Sequence, residues 1–288
     1  MNNIEDLNIT IVGLGLIGGS IAKAIRKNLN VKNLWAVDLD INVLTESKRS
    51  GIINDYYVDP IYPLQNSQLV IMCTYPDTTL NFIKRNMEHF KQNAVITDTA
   101  GIKSKIVQEL GQVMRDDLDF VGGHPMSGKE TAGYEFSDDA IFIGANYIIT
   151  PVESNKRQSI LFLKEILLKI GFKKIIELTP KMHDEIVAYT SQLPHLIASA
   201  LMINSKFGKS IDCIGGSFKD ATRVAEINCD LWCQLLNENK QNILAELSSL
   251  VNDISNIYDI INNDDLHSLK LLLEKSSMLR KEINYEKA

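Results

Sequence analysis

Residues 9–20 read ITIVGLGLIGGS, and this run restricts the possible folds more than any other. The apolar stretch Ile9–Val12 has the character of a strand, and helical periodicity takes over from Ser20. Between them lies Gly13-Leu14-Gly15-Leu16-Ile17-Gly18. In such a turn the first glycine permits the tight bend. The second lets a pyrophosphate approach the backbone, and the third lets helix and strand pack closely. The unpaired N–H groups of the helix N-terminus would then face the phosphates. The next strand, LWAVD, ends at Asp38, 20 residues past Gly18. A carboxylate there can accept hydrogen bonds from ribose hydroxyls. A glycine pattern alone is often only a structural turn; followed by a helix and this acidic residue, it predicts a dinucleotide site. Asp38 would repel a 2′-phosphate, and Leu39-Asp40-Ile41 offer no arginine to hold one, so the expected cofactor is NAD rather than NADP.

The rest of the first half repeats the strand–helix alternation. Strands are expected at 9–12, 34–37, 69–72, 94–97, 120–123 and 145–150, with helices at 20–28, 41–50, 78–89 and 103–114. This order predicts a parallel sheet covered by helices on both faces. A helix over 153–170 and a strand over 174–178 follow. In VIMCTYP (70–76), Thr74 and Pro76 start a loop at a strand's C-terminal end, the edge where ligands collect; they are candidates for the cofactor and equally for a plain connection. After Thr179-Pro180 only helical periodicity remains, so the domain boundary is placed near residue 178, giving domains 1–178 and 179–288. LNENKQNILAELSSLVNDISNIYDIINN reads as one long amphipathic helix, and Asn263-Asp264-Asp265 as the cap of a last helix from about Leu266. The apolar stripe of the long helix predicts a dimer interface; the alternative is packing within its own subunit.

Composition narrows the function classes. A net charge of −6 argues against a nucleic-acid partner, which calls for a basic surface. No run of about 18 uncharged apolar residues predicts a membrane span, and the polar start MNNIEDLNIT is not a signal peptide. Cys73, Cys213, Cys229 and Cys233 form no CxxC pair, so no metal or redox motif is expected. Cys229 and Cys233, one helical turn apart, read as packing residues. Reduced thiols fit a cytoplasmic enzyme.

Three separated clusters carry candidate chemistry. GGHPMSGKE (122–130) follows a strand and places His124 in what reads as a glycine-rich loop, the glycines leaving room for a substrate. In TSQLPHLIAS (190–199), Ser191 and His195 lie four apart on one helix face, and Pro194 is expected to kink that helix. In GGSFKDATRVAEINCDLW (215–232), Asp220 and Arg223 are three apart and could pair, setting the guanidinium fork for a carboxylate. Each has a plainer reading: a satisfied histidine, or a surface ion pair of little worth.

Taken together, GLGLIGGS, HPMSGKE, SQLPH and GGSFKDATRVA followed by Trp232 resemble the prephenate dehydrogenase family over nearly the whole chain. The resemblance implies an α/β, Rossmann-type dinucleotide-binding domain followed by an all-α dimerisation domain. It implies NAD-dependent oxidative decarboxylation of prephenate to 4-hydroxyphenylpyruvate in tyrosine biosynthesis. It makes His124 the base that takes the ring hydroxyl proton and Arg223 the anchor of a substrate carboxylate. His195, near the pyruvyl side chain, and Ser191 would line the pocket, with Trp232 near it on a separate helix that the partner subunit could supply. Lys129 could add compensating charge or be solvated; Glu130 and Asp220 complete the substrate-binding candidates. Gly13, Leu14, Gly15, Leu16, Ile17, Gly18, Asp38, Thr74, Pro76 and Gly101 are the cofactor-binding set.

One departure stands out. The family commonly carries Asp-x-Gly-Ser-x-Lys before the catalytic histidine; here the run is Asp98-Thr99-Ala100-Gly101-Ile102-Lys103. Gly101 replaces the serine expected to support His124, so either Thr99, Ser104 or water orients it, or that support is absent. From the length, no regulatory domain is expected after the helical domain and no fused chorismate mutase before Ile9. Tyrosine feedback is then expected to act at the active site. Arogenate is an alternative substrate. A β-hydroxyacid or hydroxyacyl dehydrogenase is disfavoured because the histidine of the HPM motif lies in the first domain and the second shows no lysine–asparagine pair on a helix. A non-catalytic NAD sensor would not need His124, His195 and Arg223 together.

Overall fold

The computed structural model describes residues 3–204 and 211–285; the parts of the expected helical run at 205–210 and 286–288 lie outside the described residues. Eight strands form one sheet: β1 (Asn8–Val12), β2 (Asn33–Val37), β3 (Asp55–Tyr57), β4 (Leu69–Met72), β5 (Val95–Asp98), β6 (Asp119–Pro125), β7 (Asn146–Thr150) and β8 (Lys174–Glu177). Their order is β3-β2-β1-β4-β5-β6-β7-β8. The helices between them are α1 (Leu16–Asn28), α2 (Ile41–Arg49), α3 (Ile61–Asn66), α4 (Pro76–Arg85), α5 (Ser104–Gly111) and α6 (Arg157–Lys169).

Alternation along the strands explains why both faces are covered. Leu69 and Ile71 of β4 join a core with Ile21 and Ile25 of α1 and Leu163 and Ile166 of α6. Val70 and Met72 point the other way, into a core with Leu80 and Ile83 of α4 and Ile106 and Leu110 of α5. Such central strands are apolar throughout, as expected when both faces are buried.

Three expectations are corrected here. The three-residue edge strand β3 is too short to show a period and was not expected. The sheet is not wholly parallel: β7 runs antiparallel to β6, pairing His124 with Ile148. The link between them holds only two short 3-10 turns, Tyr134–Phe136 and Asp139–Phe142, and a parallel return needs a longer crossover. Finally, α1 starts at Leu16, not Ser20, with Gly15 as its N-cap. Gly18 and Gly19 therefore lie inside the first turns. They are there for closeness: a Cβ on Gly18 would stand 1.9 Å from the Gly13 carbonyl oxygen, and one on Gly19 would meet Ser137 and Tyr134 at 2.8 Å.

After β8 the chain is helical: α7 (Pro180–Val187), a π-helical turn (Ala188–Gln192), α8 (Leu193–Ile203), α9 (Gly216–Thr222), a 3-10 turn (Arg223–Ala225), α10 (Cys229–Glu238), α11 (Lys240–Asn262) and α12 (Leu266–Tyr285). Compactness divides the chain into Met1–Lys240 and Gln241–Ala288, and residue 178 marks the change from strand to helix inside the first unit. The long helix expected over 236–263 is broken at Asn239. This side chain is buried and donates to the Asp184 carbonyl (2.8 Å) and to Gln192 Oε1 (2.9 Å). The last helix starts at Leu266 as expected, its Asp265 accepting from the Ser268 N–H at 3.0 Å. Cys229 and Cys233, expected to pack, are both exposed. The run Pro180–Ile203 is long and apolar enough to cross a membrane by length and composition alone. In the fold it buries His183, Asp184 and Gln192, all hydrogen-bonded within the protein.

Candidate active site

A cleft of about 650 Å³ opens in the first unit, at the C-terminal edge of the sheet. One end is walled by Gly15, Leu16, Ile17, Thr74, Tyr75 and Pro76; the other by His124, Ser191, His195, Arg223 and Trp232, with Gly101, Lys129 and Glu130 also on its lining.

The cofactor end is built as the glycine spacing predicts. Gly13 has φ +92°, open to glycine, and its N–H bonds the Val37 carbonyl at 2.8 Å. A Cβ on Gly15 would meet nothing within 4 Å, so the backbone there faces open space. No side chain caps α1, which leaves its first N–H groups without a cap and available to an anion. Gly13, Leu14 and Gly18 stand behind the lining. Leu14 buries its side chain in the core and gives its N–H to Asp38 Oδ2 at 2.7 Å. Asp38 Oδ1 accepts from the Asp40 N–H at 2.9 Å. The half-buried Asp38 thus ties the end of β2 to the glycine turn. Thr74 bonds Thr79 through their hydroxyls at 2.8 Å, and Pro76 begins α4. These residues fit a dinucleotide: the phosphate cradle is open and unfilled by side chains.

At the other end His124 lies within β6, not in a loop beyond it. Nor do its neighbouring glycines leave room for a substrate. A Cβ on Gly123 would stand 2.3 Å from the Tyr147 hydroxyl, and one on Gly122 would stand 2.4 Å from Thr150 Oγ1. They let β6 pack against side chains of β7. The open glycine is Gly128, with nothing within 4 Å.

The support of His124 is neither Thr99 nor Ser104. His124 Nδ1 lies 2.9 Å from His183 Nε2, and His183 Nδ1 lies 2.7 Å from Asp184 Oδ1. Asp184 in turn accepts from the Lys103 and Ser104 N–H groups at 2.9 and 2.8 Å, at the start of α5. Burial, then the neighbouring His183 and the Lys103 ammonium, hold His124 well below the ordinary histidine pKa. Burial also lowers His183, with the Asp184 bond acting against it. Lys103 itself is fully buried against Asp98. Sequence reading missed His183 and Asp184. The only available signal was that His183 and Asp184 share the buried face of an amphipathic helix with Val187.

The helical wall is shaped by the π turn. Leu193 N bonds the Ala188 carbonyl five residues back, and Pro194, which has no N–H, falls in the first turn of α8. Pro194 therefore follows the irregular turn rather than kinking a helix interior, and π turns are frequent at functional sites. His195 Nδ1 donates to the Ser191 carbonyl at 2.8 Å, and its ring stacks on Trp232 with centroids 4.1 Å apart. Trp232 comes from α10 of the same chain, so no partner subunit is needed to bring it here. The expected Asp220–Arg223 pair does not form. Arg223 pairs with Glu130 instead, while Asp220 is exposed and off the cleft lining, because α9 ends between them and turns Arg223 away. Lys129 bonds the Phe136 carbonyl at 3.1 Å and Asp138 at 3.4 Å, anchoring its loop.

Comparisons with known proteins identify the family of the chain. The family profile described as "Prephenate dehydrogenase, nucleotide-binding domain" matches residues 21–176, and "Prephenate dehydrogenase, dimerization domain" matches 179–275. A prephenate dehydrogenase of Bacillus subtilis is 31% identical over 278 residues, covering 93% of this chain and 74% of its own. A solved A. aeolicus prephenate dehydrogenase, in complex with hydroxyphenyl propionate and NAD+, is 26% identical with a TM-score of 0.88, covering 98% of this chain and 100% of its own. A Synechocystis arogenate dehydrogenase structure is also 26% identical, with a TM-score of 0.81 and coverage of 95% and 99%.

Proposed function

The chain belongs to the prephenate dehydrogenase family, and from that premise we infer an enzyme that oxidatively decarboxylates prephenate to 4-hydroxyphenylpyruvate with NAD, in tyrosine biosynthesis. The observation that carries this reading is one cleft with an open glycine cradle at one end and His124, His195 and Arg223 at the other.

The roles we propose follow from the geometry. Gly15, Leu16 and Ile17 receive the pyrophosphate at the start of α1, with Gly13 and Gly18 shaping the turn. Asp38 meets the ribose with oxygen lone pairs left over from its two backbone bonds. Thr74, Pro76 and Gly101 border the nicotinamide. Bound NAD supplies the acceptor for the hydride that leaves the ring carbinol carbon. His124 takes the hydroxyl proton through Nε2, for which a neutral imidazole is suited. Loss of carbon dioxide from the ring leaves an aromatic product, which makes the step irreversible. Arg223, exchanging Glu130 for a substrate carboxylate, anchors the dianion, and Ser191, His195 and Trp232 wall the side chain. Glu130 then contributes by neutralising Arg223 in the free enzyme.

The division of labour we propose assigns residues 1–178 to the cofactor and 179–288 to substrate and dimerisation. A homodimer is supported by the described match to a dimerisation domain and by the apolar side chains of α11 and α12 left in solvent, among them Val251, Ile254, Tyr258 and Leu273. A cytoplasmic location is supported by four unpaired thiols. Arogenate is a second reading, favoured by the equal identity of the Synechocystis arogenate dehydrogenase. Turnover with prephenate and arogenate, each with NAD and NADP, decides. The expected result is highest kcat/KM for prephenate with NAD; preference for NADP would remove Asp38 from its assigned role.

A further inference from the structure

The hydrogen bonds behind His124 determine which of its nitrogens carries the proton. Asp184 is a fixed acceptor: both oxygens already receive backbone N–H groups at the start of α5. His183 Nδ1, 2.7 Å from Asp184 Oδ1, must therefore be the protonated nitrogen. In a neutral imidazole that leaves Nε2 as an acceptor. Its neighbour at 2.9 Å is His124 Nδ1, which must then donate. One proton on Nδ1 leaves His124 Nε2 with a bare lone pair. Nε2 lies on the cleft side, 3.8 Å from where a Cβ on Gly101 would stand, and Gly101 presents no side chain to it. The ring is thus oriented entirely from the rear, and its front is free for a substrate hydroxyl.

We propose that His183 and Asp184 are positioning residues that act through His124, a buried carboxylate–imidazole chain that holds it in the tautomer able to accept a proton at Nε2. When His124 takes that proton, its Nδ1–H remains bonded to His183, and the positive charge faces a chain ending in the Asp184 carboxylate. The proton stays on His124; Asp184 orients and compensates without being protonated. This is the logic by which a carboxylate orients a catalytic histidine in hydrolytic triads, extended here by one imidazole. The arrangement also explains why His183 is fully buried, although α7 has a solvent-exposed face that could have carried it. The proposal rests on the reading of His124 as the base.

Nitrogen-15 NMR of the whole protein labelled in its five histidines reads the tautomers directly. At neutral pH His124 and His183 should both show a protonated Nδ1 and a bare Nε2, the His124 signals being those lost in His124→Asn. A protonated Nε2 on His124 overturns the proposal whatever the activity. Kinetics give the second arm. His183→Leu should lower kcat roughly 100-fold, the scale of losing an orienting partner. KM for prephenate and Kd for NAD should stay within about twofold. His183→Gln keeps an oxygen that can accept from His124 Nδ1 and should recover roughly tenfold of the loss. Wild-type kcat in His183→Leu, or equal losses in both variants tracking a fall in Tm, overturns the chain and leaves only packing. If His124→Asn keeps its turnover, the base assignment fails; if it is inactive while His183→Leu is not, only the positioning role of His183 and Asp184 fails.

Discussion

His124 and Arg223 meet the substrate in different ways, so their removal should be felt in different constants. The imidazole acts on a proton that moves only as the reaction proceeds. His124→Asn keeps a polar side chain in β6 but removes the base, so kcat should fall by roughly 100-fold or more, the range for general base catalysis. Its Kd for NAD should hardly move, because the glycine cradle lies at the far end of the cleft. Arg223 binds a carboxylate that is present before and after the chemical step. Arg223→Ala should raise KM for prephenate with a smaller change in kcat, the signature of lost uniform binding. Steady-state kinetics with an NAD titration checks both, and near-normal kcat in His124→Asn would remove it from the mechanism. The histidine was conspicuous in the sequence because it stands next to a proline in a glycine-rich run. Its partner His183 lies 59 residues away, and no local pattern joins the two.

At the scale of the element, the β1–turn–α1 unit separates glycines needed for folding from a glycine needed for binding. Gly15→Ala adds a Cβ with nothing within 4 Å and needs no positive φ. Its stability should change by about 0.5 kcal/mol or less, while its Kd for NAD should rise roughly tenfold because the methyl group enters the cradle. Gly18→Ala pushes a Cβ to within 1.9 Å of the Gly13 carbonyl and should cost about 2 kcal/mol or more. Thermal melts and NAD titrations of both variants test this; equal effects on stability would undo the distinction. The spacing of the three glycines was readable, but the start of α1 was not. Glycine reads as a turn in any propensity scale, and only the packing against Gly13, Ser137 and Tyr134 shows why two glycines begin a helix. The break at Asn239 was hidden likewise, since its polar side chain fits the solvent face of an amphipathic pattern.

For the whole molecule, two predictions concern stability and assembly. His124 and His183 have lowered pKa values in the folded chain. The unfolded chain therefore binds more protons as pH falls through about 6.5, and stability must decline there. The slope is at most about 1.4 kcal/mol per pH unit for each group. Denaturant midpoints between pH 7.5 and 5 should fall, and a flat profile would mean that both rings titrate normally. The apolar stripe on α11 bears on assembly. Tyr258, 66% exposed in the single chain, and Ile254 lie four apart on one face. Ile254→Asp should shift sedimentation toward monomer, and an unchanged mass would place the interface elsewhere.

What the sequence determined by itself was the set of local relations: strand followed by glycine turn and helix, the acidic residue at the end of β2, the change to pure helix after residue 178, and the motifs that mark the family. These are relations between near neighbours, and backbone geometry and hydrophobic period enforce them wherever the segment ends up. The tertiary structure alone decided the relations between distant segments. It set the reversal of β7, the pairing of Arg223 with Glu130 across 93 residues, and the chain of bonds from His124 through His183 to Asp184. The physical reason is that partners are met in space rather than along the chain: the buried His183 and Asp184 must bond to whatever the packing brings beside them, and the exposed Arg223 and Glu130 pair only because the fold sets their segments side by side.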